Sequence, residues 1–200
     1  MIDSKAALRA LYPAAKERSV RKQMDRLDRH CLRFVALSPF LVLASGDKQG
    51  LLDASPRGGE PGFVRAPDSA TLLIPDAPGN NRLDTLENIL STGRIGLLFL
   101  IPGVDETLRV NGRARLADEN SLLDYFKSEK RAPRLVIEVK VEDVYLHCAK
   151  ALMRSRLWSA DSRVERSVLP TMGQMLNEQT GIQTLPETQE QMVERYKADL

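Results

Sequence analysis

Apolar residues recur at helical spacing in the charged stretch that begins the chain. Pro13 separates an alanine- and leucine-rich run from a second run, in which Leu27 and Cys31 are followed by Phe34 or Val35 at three- to four-residue intervals. This spacing places the apolar side chains on one face of a helix. The pattern therefore predicts a pair of amphipathic helices that pack against another part of the protein.

The pattern changes at Pro39 to short apolar or alternating runs separated by turn residues, which is typical of β-strands joined by tight turns. Seven strands are predicted, at residues 40–45, 51–55, 62–65, 70–75, 94–101, 106–116 and 134–148. Helical spacing instead marks residues 82–91, 119–127, 171–179 and 186–198. These elements predict a mainly β fold of the α+β kind, a closed antiparallel barrel of six to seven strands with flanking helices.

The same changes of pattern divide the chain into three segments. Residues 1–38 form an N-terminal helical segment, residues 39–160 form the barrel, and residues 161–200 form a charged tail with its own helical signals. The tail is either an arm that wraps a partner subunit or a loosely held extension, and both alternatives stay open.

Composition and charge narrow the classes of partner. The 29 Lys and Arg residues nearly balance 27 Asp and Glu, which leaves a net charge of +2, and aromatic residues make up only 5% of the chain. A near-neutral chain with few aromatic residues argues against binding to nucleic acid or to an anionic membrane. No apolar run approaches the length of a membrane span, and the N-terminus lacks the apolar core of a signal peptide. We therefore expect a cytoplasmic protein.

Cysteine, histidine and serine positions exclude several kinds of chemistry. Cys31 and Cys148 lie far apart and belong to no metal-binding or disulfide pattern, so we expect both to be reduced and buried and expect no metal site. Neither His30 nor His147 belongs to a recognisable catalytic triad, and no serine lies in a nucleophile elbow. No catalytic residue is assigned.

Groups that could bind an anion occur in three stretches, the first of which contains Ser55 and Arg57 at the end of a predicted strand. Gly58 and Gly59 follow them. A guanidinium can donate two parallel hydrogen bonds to a phosphate, and glycine allows close approach to the backbone. An exposed turn with an incidental arginine would show the same pattern.

In the second stretch, Asn80, Asn81 and Arg82 open a predicted helix. Helix N-termini favour anions because their first backbone N–H groups are unpaired. The alternative is an asparagine N-cap beside an arginine that faces solvent.

In the third stretch, strand alternation places Thr107, Arg109 and Asn111 on one face and the apolar residues between them on the other. Three polar side chains in a row indicate either a surface that binds a ligand or the solvent face of an edge strand.

In order and spacing, these stretches resemble the flavin-binding half of the pyridoxamine 5'-phosphate oxidase-like split barrels, particularly their general bacterial branch. The resemblance covers residues 40–112. The family's arginine-bearing strand matches residues 55–57, and the strand and loop that face its flavin ring match 73–76. Its polar and basic helix start matches 80–82, and its apolar strand matches 95–100. Its polar-x-Arg-x-polar-Gly pattern matches 107–112.

The resemblance implies a homodimer with two flavin mononucleotide (FMN) sites at the subunit interface. By this resemblance Arg57 and Arg82 hold the FMN phosphate, with help from Ser55 and Asn81. Two guanidiniums and a helix start suit a dianionic phosphate.

The resemblance also assigns residues near the flavin ring. Pro75 and Asp76 are expected along the ring edge, and Thr107 and Arg109 near the pyrimidine side or the phosphate tail. The complete set of cofactor-binding residues implied in this way is Ser55, Arg57, Pro75, Asp76, Asn80, Asn81, Arg82, Thr107, Arg109, Lys150, Arg154 and Trp158.

The last three of these follow the final strand, in a region that often comes from the other subunit in this family. Lys150, Arg154 and Trp158 recur at a four-residue spacing, which is one face of a helix. A basic helix whose Trp158 packs against the barrel is the alternative. The Arg-Leu-His-type motif that binds substrate in the true vitamin B6 oxidase has no match, so oxidation of vitamin B6 is not expected.

These expectations predict an FMN-dependent oxidoreductase, either an oxidase or a reductase, that acts on a small organic substrate by two-electron transfer. The alternative is a non-catalytic split barrel that binds flavin or haem, with His147 available as an axial haem ligand. Fold analogy alone does not choose between an enzyme and a binding protein.

Overall fold

The computed structural model describes residues 1–197 and begins with three short helices. These are α1 (Lys5–Ala10), α2 (Glu17–Arg21) and α3 (Arg29–Leu37). The Asp28 carboxylate caps α3, because it accepts hydrogen bonds from the backbone N–H groups of His30 and Cys31. The sequence predicted a single helix after Pro13, which is wrong because this cap starts a separate helix.

Seven strands form one antiparallel sheet, which confirms the predicted fold class. Their bounds are β1 (Phe40–Gly46), β2 (Leu52–Gly58), β3 (Arg65–Asp68), β4 (Thr71–Pro75), β5 (Arg94–Ile101), β6 (Val104–Ala117) and β7 (Val136–His147). Their order across the sheet is β2-β1-β5-β6-β7-β4-β3. Since β2 and β3 are edges, the ladder of hydrogen bonds does not close. The closed barrel indicated by the strand pattern alone is therefore wrong, and the split barrel implied by the family resemblance is confirmed.

In the hairpin of β3 and β4, the predicted boundaries of the first strand and of the turn are wrong. A strand was expected at residues 62–65, but Gly62 has a φ of +83°, and the Phe63 N–H donates to the Glu60 carbonyl in a turn. β3 therefore begins only at Arg65, and residues 69 and 70 make the turn that was expected at 66–69.

Five further helices accompany the strands. They are α4 (Asp84–Thr92), α5 (Asn120–Leu123), α6 (Lys150–Ser155), α7 (Met172–Thr180) and α8 (Gln189–Lys197). Gly93 ends α4 with a φ of +62°, as predicted from its position. α5 is shorter than predicted because the chain continues as a 3-10 turn over Asp124–Phe126. The predicted end of the last helix, Ala198, lies outside the described residues.

The core lies on one face of the sheet, where α3 and α4 cover it. Its buried residues include Leu41, Leu43, Leu97, Phe99, Leu108, Val110, Ile137 and Val139. Cys31 is buried among them, and burial raises the pKa of its thiol to about 11. Cys148 is exposed, so the expectation that both cysteines are buried is wrong for this one, which follows the end of β7.

The opposite side of the sheet, here named the outer face, is covered only in part. Phe126 packs with Leu73 and Val136 over β4 and the start of β7. The rest of the outer face, on β2, β1, β5, β6 and the end of β7, includes Phe40, Val42, Ala44, Leu98 and Leu100, each exposed or half-buried.

The chain divides after Arg154 into two compact units. In the second unit, Thr171 and Gln174 form a reciprocal capping box at the start of α7, and Arg195 of α8 pairs with Glu187. None of the described residues from 155 to 197 is buried. The predicted boundaries at residues 38 and 160 stay predictions, as do the two alternatives for the tail.

No helix among residues 1–197 is long and apolar enough to cross a membrane.

Candidate cofactor site

The first group of candidate residues lies on the edge strand β2. Ser55 and Arg57 stand opposite Leu43 and Leu41 of β1 in the sheet register. Directly paired residues of antiparallel strands point to the same face, and these two leucines are fully buried. Ser55 and Arg57 are therefore directed to the core side of the sheet, where β2 has no strand beyond it.

Hydrogen bonds tie the start of α4 to this strand. The Thr85 hydroxyl donates to a carboxylate oxygen of Asp53 at 2.6 Å, and the Ser55 hydroxyl oxygen lies 2.9 Å from that of Thr85. Thr85 is buried and is the second residue of α4. The tether holds the segment before α4, which contains Asn80, Asn81 and Arg82, beside β2.

The segment before α4 has an unusual backbone. Asn81 and Leu83 have φ values of +58° and +61°, in the left-handed region that non-glycine residues seldom adopt. Leu83 precedes the helix and makes no side-chain cap, whereas the Asn80 side chain accepts a hydrogen bond from the Arg82 N–H. The alternative of an asparagine N-cap is therefore wrong, and α4 begins two residues later than predicted.

Arg82 is exposed and pairs with a neighbour. Its Nε donates to Asp84 at 2.8 Å, with 73% of the arginine side chain accessible. The hydrogen bond to Asp84 and the charge of Asp84 raise the pKa of Arg82, burial opposes the rise, and the charge of Asp53 adds to it least. The guanidinium therefore lies within electrostatic reach of β2.

Asp76, which directly follows β4, lies close enough to Arg57 of β2 for their charges to interact. Burial raises the pKa of its carboxyl, and the charges of Arg57 and Arg134 oppose that rise. The Asp76 N–H donates to the Leu135 carbonyl, and Pro75 ends β4 opposite Val136. β2 and β4 lie near opposite ends of the strand order, so the sheet curves until Arg57 and Asp76 interact across the split.

The second group lies on the outer face. The register places Thr107 opposite His147, Arg109 opposite Tyr145 and Asn111 opposite Asp143. These six residues form two parallel rows on β6 and β7. The sequence singled out the β6 row and His147, but not Asp143 or Tyr145.

A β-bulge hides the β7 row in the sequence. Asn111 pairs with Asp143 but Gly112 pairs with Val141, so Glu142 is an extra residue between them. The extra residue reverses the alternation that was read along residues 135–141. Val144 is consequently buried in the core, and the odd-numbered residues that follow Glu142 face outward.

Hydrogen bonds join the two rows. The Asn111 amide donates to one carboxylate oxygen of Asp143 at 2.9 Å, while the other carboxylate oxygen is buried without a hydrogen-bond partner. A guanidinium N–H of Arg109 donates to the Tyr145 hydroxyl at 3.2 Å. Burial lowers the pKa of His147, and the positive charges of Lys22 and Arg109 lower it further.

In the third group of candidate residues, the end of α6 separates Trp158 from Lys150 and Arg154. Lys150 and Arg154 are exposed on α6, but α6 ends at Ser155 and Arg156 has a φ of +52°. Trp158 therefore does not share a helix face with them, contrary to the four-residue spacing. The roles of all three stay predictions.

The candidate residues thus fall on two sides of the sheet. Ser55 and Arg57 are directed to the core side at the split, and Thr107 and Arg109 to the outer face. Among residues 1–197 no cluster of three or more His, Cys, Asp or Glu side chains could hold a metal ion.

This arrangement is that of a split β-barrel with polar groups at its split and on its outer face. The sequence profile of the family described as pyridoxamine 5'-phosphate oxidase matches residues 27–148, which is more than half of the chain. The chain therefore belongs to the pyridoxamine 5'-phosphate oxidase family.

Solved structures of similar fold share little sequence with the chain. HupZ of Group A Streptococcus aligns with a TM-score of 0.50 and 17% identity, over 60% of this chain and 93% of HupZ. A Lactobacillus delbrueckii protein, provisionally assigned as a pyridoxamine 5'-phosphate oxidase, aligns with a TM-score of 0.49 and 17% identity, over 61% of this chain and 95% of that protein. An FMN-binding protein from Syntrophomonas wolfei aligns with a TM-score of 0.47 and 11% identity, over 60% of this chain and 88% of that protein. Among curated proteins, none matches the sequence.

Proposed function

We propose that the chain is an FMN-binding flavoprotein that works as a homodimer and catalyses two-electron transfer on a small organic substrate. The observation that carries this proposal is that Ser55 and Arg57 of β2 lie at the split of the barrel, where Asp76 follows β4 and where hydrogen bonds tie the start of α4 to β2. Family membership makes a flavin the first ligand to test there.

The donors at the split fit a phosphate group. Arg57 and Arg82 supply two guanidiniums, and Ser55 supplies a hydroxyl on a strand that Thr85 ties to the helix start. The Arg82 pair with Asp84 is exposed, and exposed ion pairs contribute little to stability, so a dianion can replace it. Asn81, between these elements, adds an amide.

A bound flavin supplies the hydride chemistry, and the protein supplies binding and orientation. Arg57, Arg82, Ser55 and Asn81 would hold the phosphate and so fix where the rest of the cofactor lies. Pro75 restricts the backbone that leads to the half-buried Asp76 at the end of β4. These side chains position the cofactor, and none of them is assigned a proton transfer.

The placement of the candidate residues on two sides of the sheet supports a homodimer. A single ligand would have to contact Ser55 and Arg57 on the core side and Thr107 and Arg109 on the outer face. Strand alternation directs these side chains to opposite faces of one chain. Two copies could meet so that the split of one lies against the outer face of the other, which would complete one site from both.

The phosphate assignment is tested by retention of FMN in Arg57→Gln and Arg82→Gln. Hydrogen bonds to a charged group contribute about 1.5 to 3 kcal/mol, so each variant should bind FMN at least about tenfold more weakly. Arg94→Gln is the matched control, because Arg94 is exposed and pairs with Glu142 on another part of the sheet. If both variants bind FMN as tightly as the control, the phosphate site lies elsewhere.

One observation favours a second candidate, a haem-binding protein without turnover. His147 is half-buried, and burial together with the charges of Lys22 and Arg109 lowers the pKa of its imidazole, which favours the neutral form that coordinates iron. The absorbance spectrum of the purified protein separates the two candidates. Flavin bands support the first proposal, and an intense haem band that is lost in His147→Ala supports the second.

A further inference from the structure

We propose that Asp53 of β2 determines which phosphate compounds bind at the split: a ligand that ends in a single phosphate binds, and one that continues into a second phosphate does not. This role rests on the proposed function, because it concerns the same site. Asp53 is not among the cofactor-binding residues that the family resemblance implies. For a flavin, the two classes of ligand are the phosphomonoester FMN and the pyrophosphate-linked flavin adenine dinucleotide (FAD).

Three polar side chains follow one another along β2. Asp53, Ser55 and Arg57 alternate along the strand, and each pairs with a buried residue of β1. Their side chains therefore share the core side, with Cα atoms about 7 Å apart from one residue to the next. Asp76 interacts electrostatically with Arg57, at one end of this row. A flavin whose ring lies at Asp76 and whose phosphate lies at Arg57 would have Asp53 on the far side of the phosphate.

Two hydrogen bonds hold the Asp53 carboxylate beside the proposed phosphate position. The Thr85 hydroxyl donates to Asp53 Oδ2 at 2.6 Å and lies 2.9 Å from the Ser55 hydroxyl oxygen. One hydroxyl group thus separates the carboxylate from the serine. The charge of Asp53 also reaches Arg82. Nevertheless, within residues 1–197 Asp53 forms no ion pair that would neutralise it.

The helix α4 lies against the β1–β2 hairpin beyond Asp53. The Asn88 amide donates to the Ser45 hydroxyl at 3.1 Å, and the Thr92 hydroxyl donates to a backbone carbonyl of β1 at 2.9 Å. Together with the bond of Thr85, these bonds attach α4 to the hairpin over about two turns of helix. Ser45 and Thr85 are buried in this contact. A ligand that extended along β2 past Asp53 would therefore meet the helix.

Charge and space both oppose a second phosphate at this end of the split. A pyrophosphate carries its second charged group directly next to the first, and here the far side of the first is occupied by Asp53 and then by α4. Like charges at close range repel, and they do so more strongly at a half-buried carboxylate than in water. Arg57 and Arg82 would offset the charge of one phosphate, whereas a second phosphate would lie nearest to Asp53.

Three flavins that share the same ring and ribityl chain test this role. Riboflavin has no phosphate, FMN has one, and FAD has two and an adenosine. We would measure the dissociation constant of each for the full chain by equilibrium dialysis, with chromatography to verify that FAD stays intact. FMN should bind at least about tenfold more tightly than riboflavin, because charge-assisted hydrogen bonds hold its phosphate. It should also bind at least about tenfold more tightly than FAD, because of the repulsion from Asp53.

Two substitutions separate the charge of Asp53 from its shape. Asp53→Asn removes the charge but keeps an oxygen that accepts from Thr85, whereas Asp53→Ala also opens space. The preference for FMN over FAD should fall at least about tenfold in Asp53→Asn and at least as far in Asp53→Ala. A loss of packing alone would weaken both flavins alike and leave their ratio unchanged.

Glu87→Gln is the matched control, because it removes one negative charge from the exposed side of α4. It should keep the native preference for FMN over FAD. A preference that fell equally in Glu87→Gln would show an effect of net charge and not of Asp53.

The outcomes separate this role from the proposed function. If the native protein binds FMN and FAD equally, or if both Asp53 variants keep the native preference, Asp53 does not select the ligand, although the flavin site itself stands. If FMN binds no more tightly than riboflavin, no phosphate lies beside Ser55, and the role of Asp53 is wrong. If none of the three flavins binds, the proposed function is wrong, and the role of Asp53 with it.

Discussion

Gly112 lies where β7 comes closest to β6. The bulge at Glu142 pushes the backbone of residues 140–141 against it, so a Cβ at Gly112 would overlap the Lys140 carbonyl oxygen. The glycine of the polar-x-Arg-x-polar-Gly pattern is therefore needed for close approach of the two strands, and not for a turn. The bulge in turn determines that Asp143, Tyr145 and His147 face outward.

We expect Gly112→Ala to destabilise the protein by about 1 to 3 kcal/mol, the usual cost of forcing extra atoms into a packed region. Gly79→Ala is the control, because a Cβ at Gly79 would meet no atom within 4 Å. The free energy of unfolding in urea measures both variants. Equal stability of the two would show that β7 can shift without cost and that the bulge is not rigid.

Residue-level prediction from sequence is possible where local chemistry is distinctive. Arg57 and Arg82 could be singled out because glycine and asparagine surround them, and their roles in binding a cofactor stay predictions. Tyr145 and Asp143 could not, because alternation is the only signal along a strand and the bulge at Glu142 reverses it. Glu142 itself resembles any other polar strand residue.

At the scale of elements, the helix α4 depends on an attachment that has no sequence signal. Leu83 adopts a left-handed conformation before the helix, which costs roughly 1 to 2 kcal/mol for a residue with a side chain. The hydrogen bonds of Thr85 to β2 offset this cost. Helical spacing alone predicted the existence of α4 and its end at Gly93, but not the path by which the chain enters it.

Replacing this attachment should affect both stability and cofactor binding. Thr85→Val keeps the shape of the side chain but leaves Asp53 and Ser55 without their partner, at a cost of about 1 to 3 kcal/mol in unfolding free energy. FMN retention should fall as well, because the start of α4, next to Arg82, is no longer tied to β2.

Thr180→Val is the matched control, because its hydroxyl bonds only to neighbours in sequence: it donates to the Leu176 carbonyl and accepts from the Ile182 N–H. Unfolding and FMN titration should show no comparable loss for it. If Thr85→Val binds FMN as tightly as the native protein, the attachment of α4 to β2 is not needed for cofactor binding.

At the scale of the whole molecule, the outer face is the largest feature that the sequence did not reveal. Phe126 covers its β4 end, but Phe40, Val42 and Leu98 are left exposed or half-buried beside the polar rows. Residues 94–101 are almost continuously apolar, which is the pattern of a strand buried on both faces, but among the described residues only the core side of β5 is fully covered. Sequence patterns predict which residues avoid water, not whether the same chain covers them.

We expect this face to join two copies, so Leu98→Arg should convert the proposed dimer to a monomer and reduce FMN retention. Burying an unpaired charge in an apolar interface is strongly unfavourable. Leu90→Arg is the control, because Leu90 is already 75% exposed on α4. Light scattering after gel filtration gives the mass of each species. A Leu98→Arg protein that keeps the dimer mass would place the interface elsewhere.

The unequal surroundings of the two cysteines have a practical consequence. Cys31 is shielded in the core and its raised pKa keeps it a thiol, whereas Cys148 is exposed directly after His147. Only thiolates react readily with maleimides or spin-label reagents, so the native chain can be tagged at one defined point without mutagenesis. In a twofold assembly, such a tag yields a single distance between two identical positions, and pulsed electron spin resonance can measure it.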